Sequence, residues 1–142
     1  MRYIWIAIKH PMETVEETHI KAVWLYNLPN GGCTFKTGTI PNRITLEVNG
    51  FFAQTHIDDY QKTSHPAPRK QYVITLAGKL EFTVTNGDTF IIQPGVILIA
   101  EDTHGHGHTW RLTEGDTWQR LYLPFTYEGN KHFVEDMDTL IK

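Results

Sequence analysis

Imidazole, amide and guanidinium groups crowd one stretch of this chain. It reads His65-Pro66-Ala67-Pro68-Arg69-Lys70-Gln71, and three more histidines follow at His104, His106 and His108, separated by Gly105 and Gly107. Neutral imidazole nitrogens ligate transition metals or move protons near neutral pH. An amide oxygen such as that of Gln71 can join a ligand set, and the guanidinium of Arg69 offers a planar two-pronged grip for a carboxylate or other anion. His56 adds a further imidazole one expected strand earlier. If a metal is bound, His65, Gln71, His108, His56 and His106 are the candidate ligands, and such a donor set suits Zn, Ni, Fe or Cu better than Ca or Mg. If the site is metal-free, His65 and His108 are the candidate general acid and base.

These groups need strands to hold them. Residues two apart on an extended segment share a face, so His65, Ala67, Arg69, Gln71, Val73 and Thr75 point one way and Pro66, Pro68, Lys70, Tyr72, Ile74 and Leu76 the other. With the histidine side inward, the outer face is apolar and requires cover from the N-terminal segment or from a second subunit, which points to a homodimer. Period-two alternation in Lys79 to Thr85 predicts another strand, and Asn86-Gly87 a tight hairpin after it. Ala77-Gly78-Lys79 is expected to reverse the chain. Thr89 to Ile92 and Val96 to Ala100 read as short strands around Pro94-Gly95, and a further hairpin is expected to pair 108–112 with 117–123 across 113–116. Earlier strands are expected at 3–9, 20–28, 43–48 and 51–57, with a turn at 29–32. Helix is expected only at 12–17 and 131–141, where Phe133, Val134, Met137, Leu140 and Ile141 form one stripe. Many short strands with turn residues between them imply an all-β sandwich or barrel.

The histidine stretch resembles the cupin superfamily. His65, Ala67 and Gln71 fall at the three ligand positions of that family's first motif, and Gly78 stands at its closing glycine, six residues beyond Gln71. The second motif is met by Pro94-Gly95 and a later histidine. A closer likeness is to small single-domain cupins with the pattern H-P-A-P-R-x-Q followed by E-D-x-x-G-x-G-H. That pattern gives the third-histidine role to His108, whereas a simpler cupin spacing gives it to His106. The resemblance spans about residues 40 to 125 and implies a jelly-roll barrel (the double-stranded β-helix) within a single domain over 1–142. It implies a ligand cavity inside the barrel, with a divalent metal as one option. Ala67 and Gln71 depart from the family's histidine and glutamate.

On this reading His65, His108 and Gln71 are the expected catalytic groups, and Arg69, Trp110 and Tyr26 the expected substrate contacts. The expected chemistry is isomerisation, dehydration or cyclisation of a small organic molecule. The alternative is a non-catalytic cavity that binds or senses a small ligand. Trp24 and Trp118 are core candidates, as Tyr26 and Trp110 also are, although a barrel strand can present such rings to a cavity. Glu101-Asp102 read as loop anchors, and His10, His19 and His132 as surface or packing residues.

Composition narrows the partners. Thirteen basic against sixteen acidic residues give a net charge of -3, with no basic run to hold a phosphate backbone, so nucleic acid is not an expected partner. Cys33 is the one cysteine; it excludes an internal disulfide and fits a reducing, cytoplasmic setting. The N-terminal residues lack a signal-peptide pattern. No apolar run approaches the roughly 20 residues of a membrane span.

Overall fold

Two expected reversals turn out to be bends, and they set the shape of the barrel. In the computed structural model, which describes residues 19–127 and 132–137, Gln71–Thr83 is one strand and Thr109–Pro124 another. The two pair antiparallel along their whole length, from Gln71 opposite Pro124 to Thr83 opposite Thr109, with register shifts between Thr75 and Leu80. Gly78 (φ 106°) and Gly115 (φ 93°) lie in this irregular stretch. A Cβ on Gly78 would stand 2.7 Å from the carbonyl oxygen of Thr117. A bulge and a tight turn both call for glycine at positive φ, which is why these glycines read as reversals in the sequence.

In chain order the strands are β1 (His19–Asn27), β2 (Cys33–Pro41), β3 (Phe52–Gln54), β4 (Gln71–Thr83), β5 (Thr89–Ile92), β6 (Val96–Glu101), β7 (Thr109–Pro124) and β8 (Val134–Glu135), with a 3-10 turn at Asp59–Lys62. They form a mixed eight-stranded sheet in the order β3-β7-β4-β6-β1-β2-β8, with β5 beside β4. The architecture is all-β and of jelly-roll type. The expected Asn86-Gly87 hairpin joins β4 to β5: Gly87 has φ 96°, and the Val84 amide donates to the Asp88 carbonyl at 3.0 Å.

Three further expectations need correction. No strand is expected at 33–41, yet β2 pairs with β1 from His19 opposite Pro41 to Asn27 opposite Cys33. The 43–48 segment is not a strand: Arg43 takes φ 67°, and the segment instead packs Leu46 and Val48 onto the outer face of the sheet. Within the expected C-terminal helix, Val134–Glu135 is a strand on β2, and Phe133 lies against Trp24 at 6.1 Å. Gly38 permits this close approach, because a Cβ there would lie 2.1 Å from the Val134 carbonyl. The expected strand at 3–9, the helix at 12–17 and the remainder of 131–141 fall outside the described residues.

Apolar side chains collect on both faces of the bent sheet. Inside the barrel Leu25, Leu80, Phe82, Ile92, Leu98 and Trp118 are buried together. Sheltering each large side chain of this kind from water stabilises by about 1.5–3 kcal/mol. On the outer face Tyr72, Ile99, Ile40 and Phe125 form a second cluster. Tyr72 is thus covered by the chain's own Phe125 and Tyr127, while Leu76 stays 54% exposed.

Candidate functional site

His65 lies outside the strands, so something other than a ladder must fix it. The loop before β4 is zipped to the loop before β7. His65 and His108 exchange both backbone hydrogen bonds at 3.0 Å, and the Ala67 amide donates to the Asp102 carbonyl at 3.0 Å. The Ser64 hydroxyl adds a bond to the His106 carbonyl at 2.6 Å. Gly107 allows the loops to touch: at φ 78°, a Cβ there would lie 1.9 Å from the His65 carbonyl oxygen. Cys33 supports the same point from below, its buried thiol donating to the Gly107 carbonyl at 3.4 Å. Burial raises that thiol's pKa, so it serves as packing rather than as a nucleophile.

The zipper sets two imidazoles side by side, with ring centres 4.6 Å apart and planes at 59°. Both are buried, at 8% and 6% exposure. Each ring is also held from behind. His65 Nδ1 donates to the Thr63 carbonyl at 2.8 Å. His108 Nδ1 meets the Asp102 carboxylate at 2.5 Å. With Nδ1 engaged as the donor in both rings, Nε2 is the nitrogen left on each to exchange a proton. Burial lowers the pKa of His65, and neighbouring His108 adds to that effect, against the raising influence of the Thr63 carbonyl and Asp102. His65 is therefore neutral at pH 7. Asp102 is fully buried, and its second oxygen, Oδ1, has no partner among the described residues.

The paired rings line a cavity of about 100 Å³. Its walls are Phe82, Trp110, Trp118 and Tyr122 with Val73 and Leu98, and its mouth carries Phe52, Tyr60 and Arg69. Trp110 and Trp118 meet edge to face at 5.0 Å, and Tyr60 meets His65 at 5.2 Å. Ligand cavities commonly run from about 300 to 1,000 Å³, so the enclosed space here admits only a molecule of a few heavy atoms, or the end of a larger one.

Most of the expected site residues converge here. His65, Ala67, Gln71 and Val73 face the cavity as alternation requires, although the strand itself begins only at Gln71. Arg69 lies at the rim over the Phe52 ring at 5.7 Å, and its Nη1 donates to Gln71 Oε1 at 2.9 Å. Of the three loop histidines, His108 is the inward one; His104 and His106 are exposed. His56 does not join them, because its side chain is 80% exposed and faces Asp58 at 3.7 Å. Tyr26 is also elsewhere, stacked on Trp24 at 4.1 Å on the opposite face of β1. Trp24 in turn donates to Glu101 at 2.6 Å.

Four groups of the site were missed in the sequence: Asp102, Gln61, Arg120 and Tyr122. Two of them left a signal. Trp118, Arg120 and Tyr122 alternate along β7 as an inward set should, and a charged residue in such a set marks a buried charge.

The resemblance raised a divalent metal, and the donor set does not fit one. Two imidazoles face the cavity, but of the amide oxygens beside them that of Gln71 already accepts from Arg69, and that of Gln61 from Arg120 and the Asp58 amide. Among the described residues no three of His, Cys, Asp and Glu gather as a ligand group. Asp102 holds His108 Nδ1 through Oδ2 and does not line the cavity, and two guanidinium groups, Arg69 and Arg120, stand close to the lining. A dication wants carboxylate charge in that position.

What fold and site define is an all-β barrel with a small, aromatic-walled cavity whose polar floor is a pair of histidines, one backed by a carboxylate and the other by a backbone carbonyl. Compared with family models and with curated proteins, the chain shows no match.

Proposed function

We propose that this cavity binds a small organic molecule and that His65 and His108 move a proton on it, as an isomerase or lyase does. The observation that carries the proposal is the pair of tied Nδ1 atoms on two rings that line one cavity, which leaves their Nε2 atoms as the nitrogens to exchange protons. His108 takes the part of the base, because the Asp102 carboxylate at its Nδ1 steadies the positive charge that develops when Nε2 takes a proton. The same arrangement orients the histidine of serine hydrolases. His65, neutral and backed only by a carbonyl, takes the role of second proton acceptor or of hydrogen-bond partner. Gln71 fixes Arg69 at the rim, and Trp110 with Trp118 gives the substrate an apolar, water-poor wall. Low water content strengthens every charge interaction in such a space.

Proton abstraction next to a carbonyl can be followed without knowing the natural substrate. Pools of small carbonyl compounds are incubated with the protein in D₂O, and exchange of their C–H signals is read by proton NMR. At least one compound is expected to exchange, and His108→Ala should slow it by about a hundredfold or more, the usual worth of a general base. Binding without exchange, seen as ligand-induced shifts of the His65 and His108 ring nitrogens, would replace catalysis with simple ligand binding. Stoichiometric transition metal in the purified protein, lost in both His65→Ala and His108→Ala, would overturn the metal-free reading.

A further inference from the structure

Among the described residues Arg120 is the largest side chain fully sealed from solvent, at 1% exposure, and no carboxylate there pairs with it. Its Nε donates to the Tyr122 hydroxyl at 2.9 Å, Nη1 to the Trp118 carbonyl at 2.9 Å and Nη2 to Gln61 Oε1 at 3.2 Å. All three acceptors are neutral. The guanidinium also stacks over Trp118 at 4.2 Å and lies 5.3 Å from the Tyr122 ring. A guanidinium stays charged at any ordinary pH, and burying one without an anion is costly. The arrangement is braced further by the 3-10 turn, where Gln61 Oε1 accepts from the Asp58 amide at 3.0 Å.

The consequence falls on Tyr122. Its hydroxyl oxygen accepts from Arg120 Nε and from Gln61 Nε2, the latter at 3.2 Å. With both lone pairs taken, the hydroxyl can only donate, and its proton has no acceptor among the described residues. Tyr122 lines the cavity that His65 and His108 line. The one acid in that lining, Asp58, is 47% exposed at the mouth and already faces His56 and Gln54.

We infer that the cavity is built for a small organic carboxylate, whose oxygen takes the Tyr122 proton as a hydrogen bond and whose charge answers the unpaired Arg120. Arg69 at the rim draws the same anion inward. This rests on the ligand-binding reading of the His65–His108 cavity and adds the class of ligand. Arg120 acts through Tyr122, as a positioning residue, and Tyr122 makes the contact.

Acetate and its neutral isostere acetamide are the probes, each titrated while the His65 and His108 ring nitrogens are followed by NMR. Acetate should shift those signals saturably and bind about tenfold or more tighter than acetamide, the scale of one charge-assisted hydrogen bond. Tyr122→Phe should cost acetate about tenfold while leaving acetamide nearly unchanged. Arg120→Gln should erase the preference for acetate; if that variant does not fold, the selectivity of the parent and the Tyr122→Phe titration still decide. Equal binding of the two probes overturns the inference, as does a Tyr122→Phe protein that holds acetate like the parent. If neither probe moves the ring signals, the carboxylate reading also falls, while exchange catalysis on neutral carbonyl compounds would leave the proton-transfer role of His65 and His108 standing.

Discussion

His106 and His108 are two residues apart on one loop and have opposite fates. His108 is buried, with a carboxylate behind its ring and Phe82 beside it at 5.3 Å. His106 is exposed, and only its backbone is used, as the acceptor for Ser64. His104 repeats the pattern of His106: Asn27 holds its backbone on both sides at 3.0 Å while its ring faces solvent. The outer histidines therefore sit on a loop as firmly tied as the inner one. What separates the two sets is what stands behind each ring, and the backbone at Gly105 and Gly107 decides which ring meets the cavity.

Gly107→Ala breaks that contrast most severely. The new Cβ would collide with the backbone of His65, a rigid neighbour, at a φ of 78°. The two loops must separate, and the His65–His108 hydrogen bonds go with them. We expect a loss of about 4 kcal/mol in urea unfolding, at the upper end for a point substitution, together with loss of the paired ring environment in NMR spectra. A cost under about 1 kcal/mol would mean that the zipper does not position the site.

Asp102→Ala tests the inner set alone. It leaves the buried His108 Nδ1–H without its acceptor and should cost about 2 kcal/mol, the penalty of an unsatisfied buried donor. The His108 ring should also lose its fixed tautomer, which nitrogen chemical shifts report directly. An unchanged tautomer would show that the carboxylate does not orient the ring.

How much of this could be read from residues alone depended on parity. Alternation from His65 to Val73 named the inward side correctly, because Ala67, Gln71 and Val73 share one face and the prolines break up the other. Parity failed where both faces of a strand are apolar. In β1, Ala22, Val23, Trp24 and Leu25 offer no polar marker, so alternation alone does not reveal that Tyr26 stacks on Trp24 outside the cavity. It also failed at Glu101 and Asp102, adjacent acids at the end of β6. Glu101 turns outward to Trp24 and Lys70, and Asp102 turns inward to His108. The bends at Gly78 and Gly115 were illegible for a different reason, since a positive φ says that the chain departs from a plain strand without saying whether it reverses.

Acid sharpens the comparison with a smaller effect. Burial holds the native pKa of His65 below its unfolded value of about 6.5. The unfolded chain therefore binds more protons below that pH, and the contribution of His65 is full above about 6.5 and lost as pH falls through the lowered native value. Stability from urea titrations should decline on acidification across that window, and His65→Asn should show a shallower decline. An identical slope in parent and variant would place the acid sensitivity in another group.

The smallest effect is expected at His106, and it is informative because so little should happen. Removing the ring in His106→Ala leaves the backbone carbonyl that Ser64 uses, and the side chain covers no buried surface. Stability should change by no more than about 0.5 kcal/mol, with acetate binding and the ring signals of His65 and His108 as in the parent. Ser64→Ala should cost more, near 1 kcal/mol, because it removes the hydroxyl that ties the two loops. A His106→Ala loss larger than that of Ser64→Ala would mean that the outer ring reaches the cavity, and the division between inner and outer histidines would then have to be redrawn around three imidazoles instead of two.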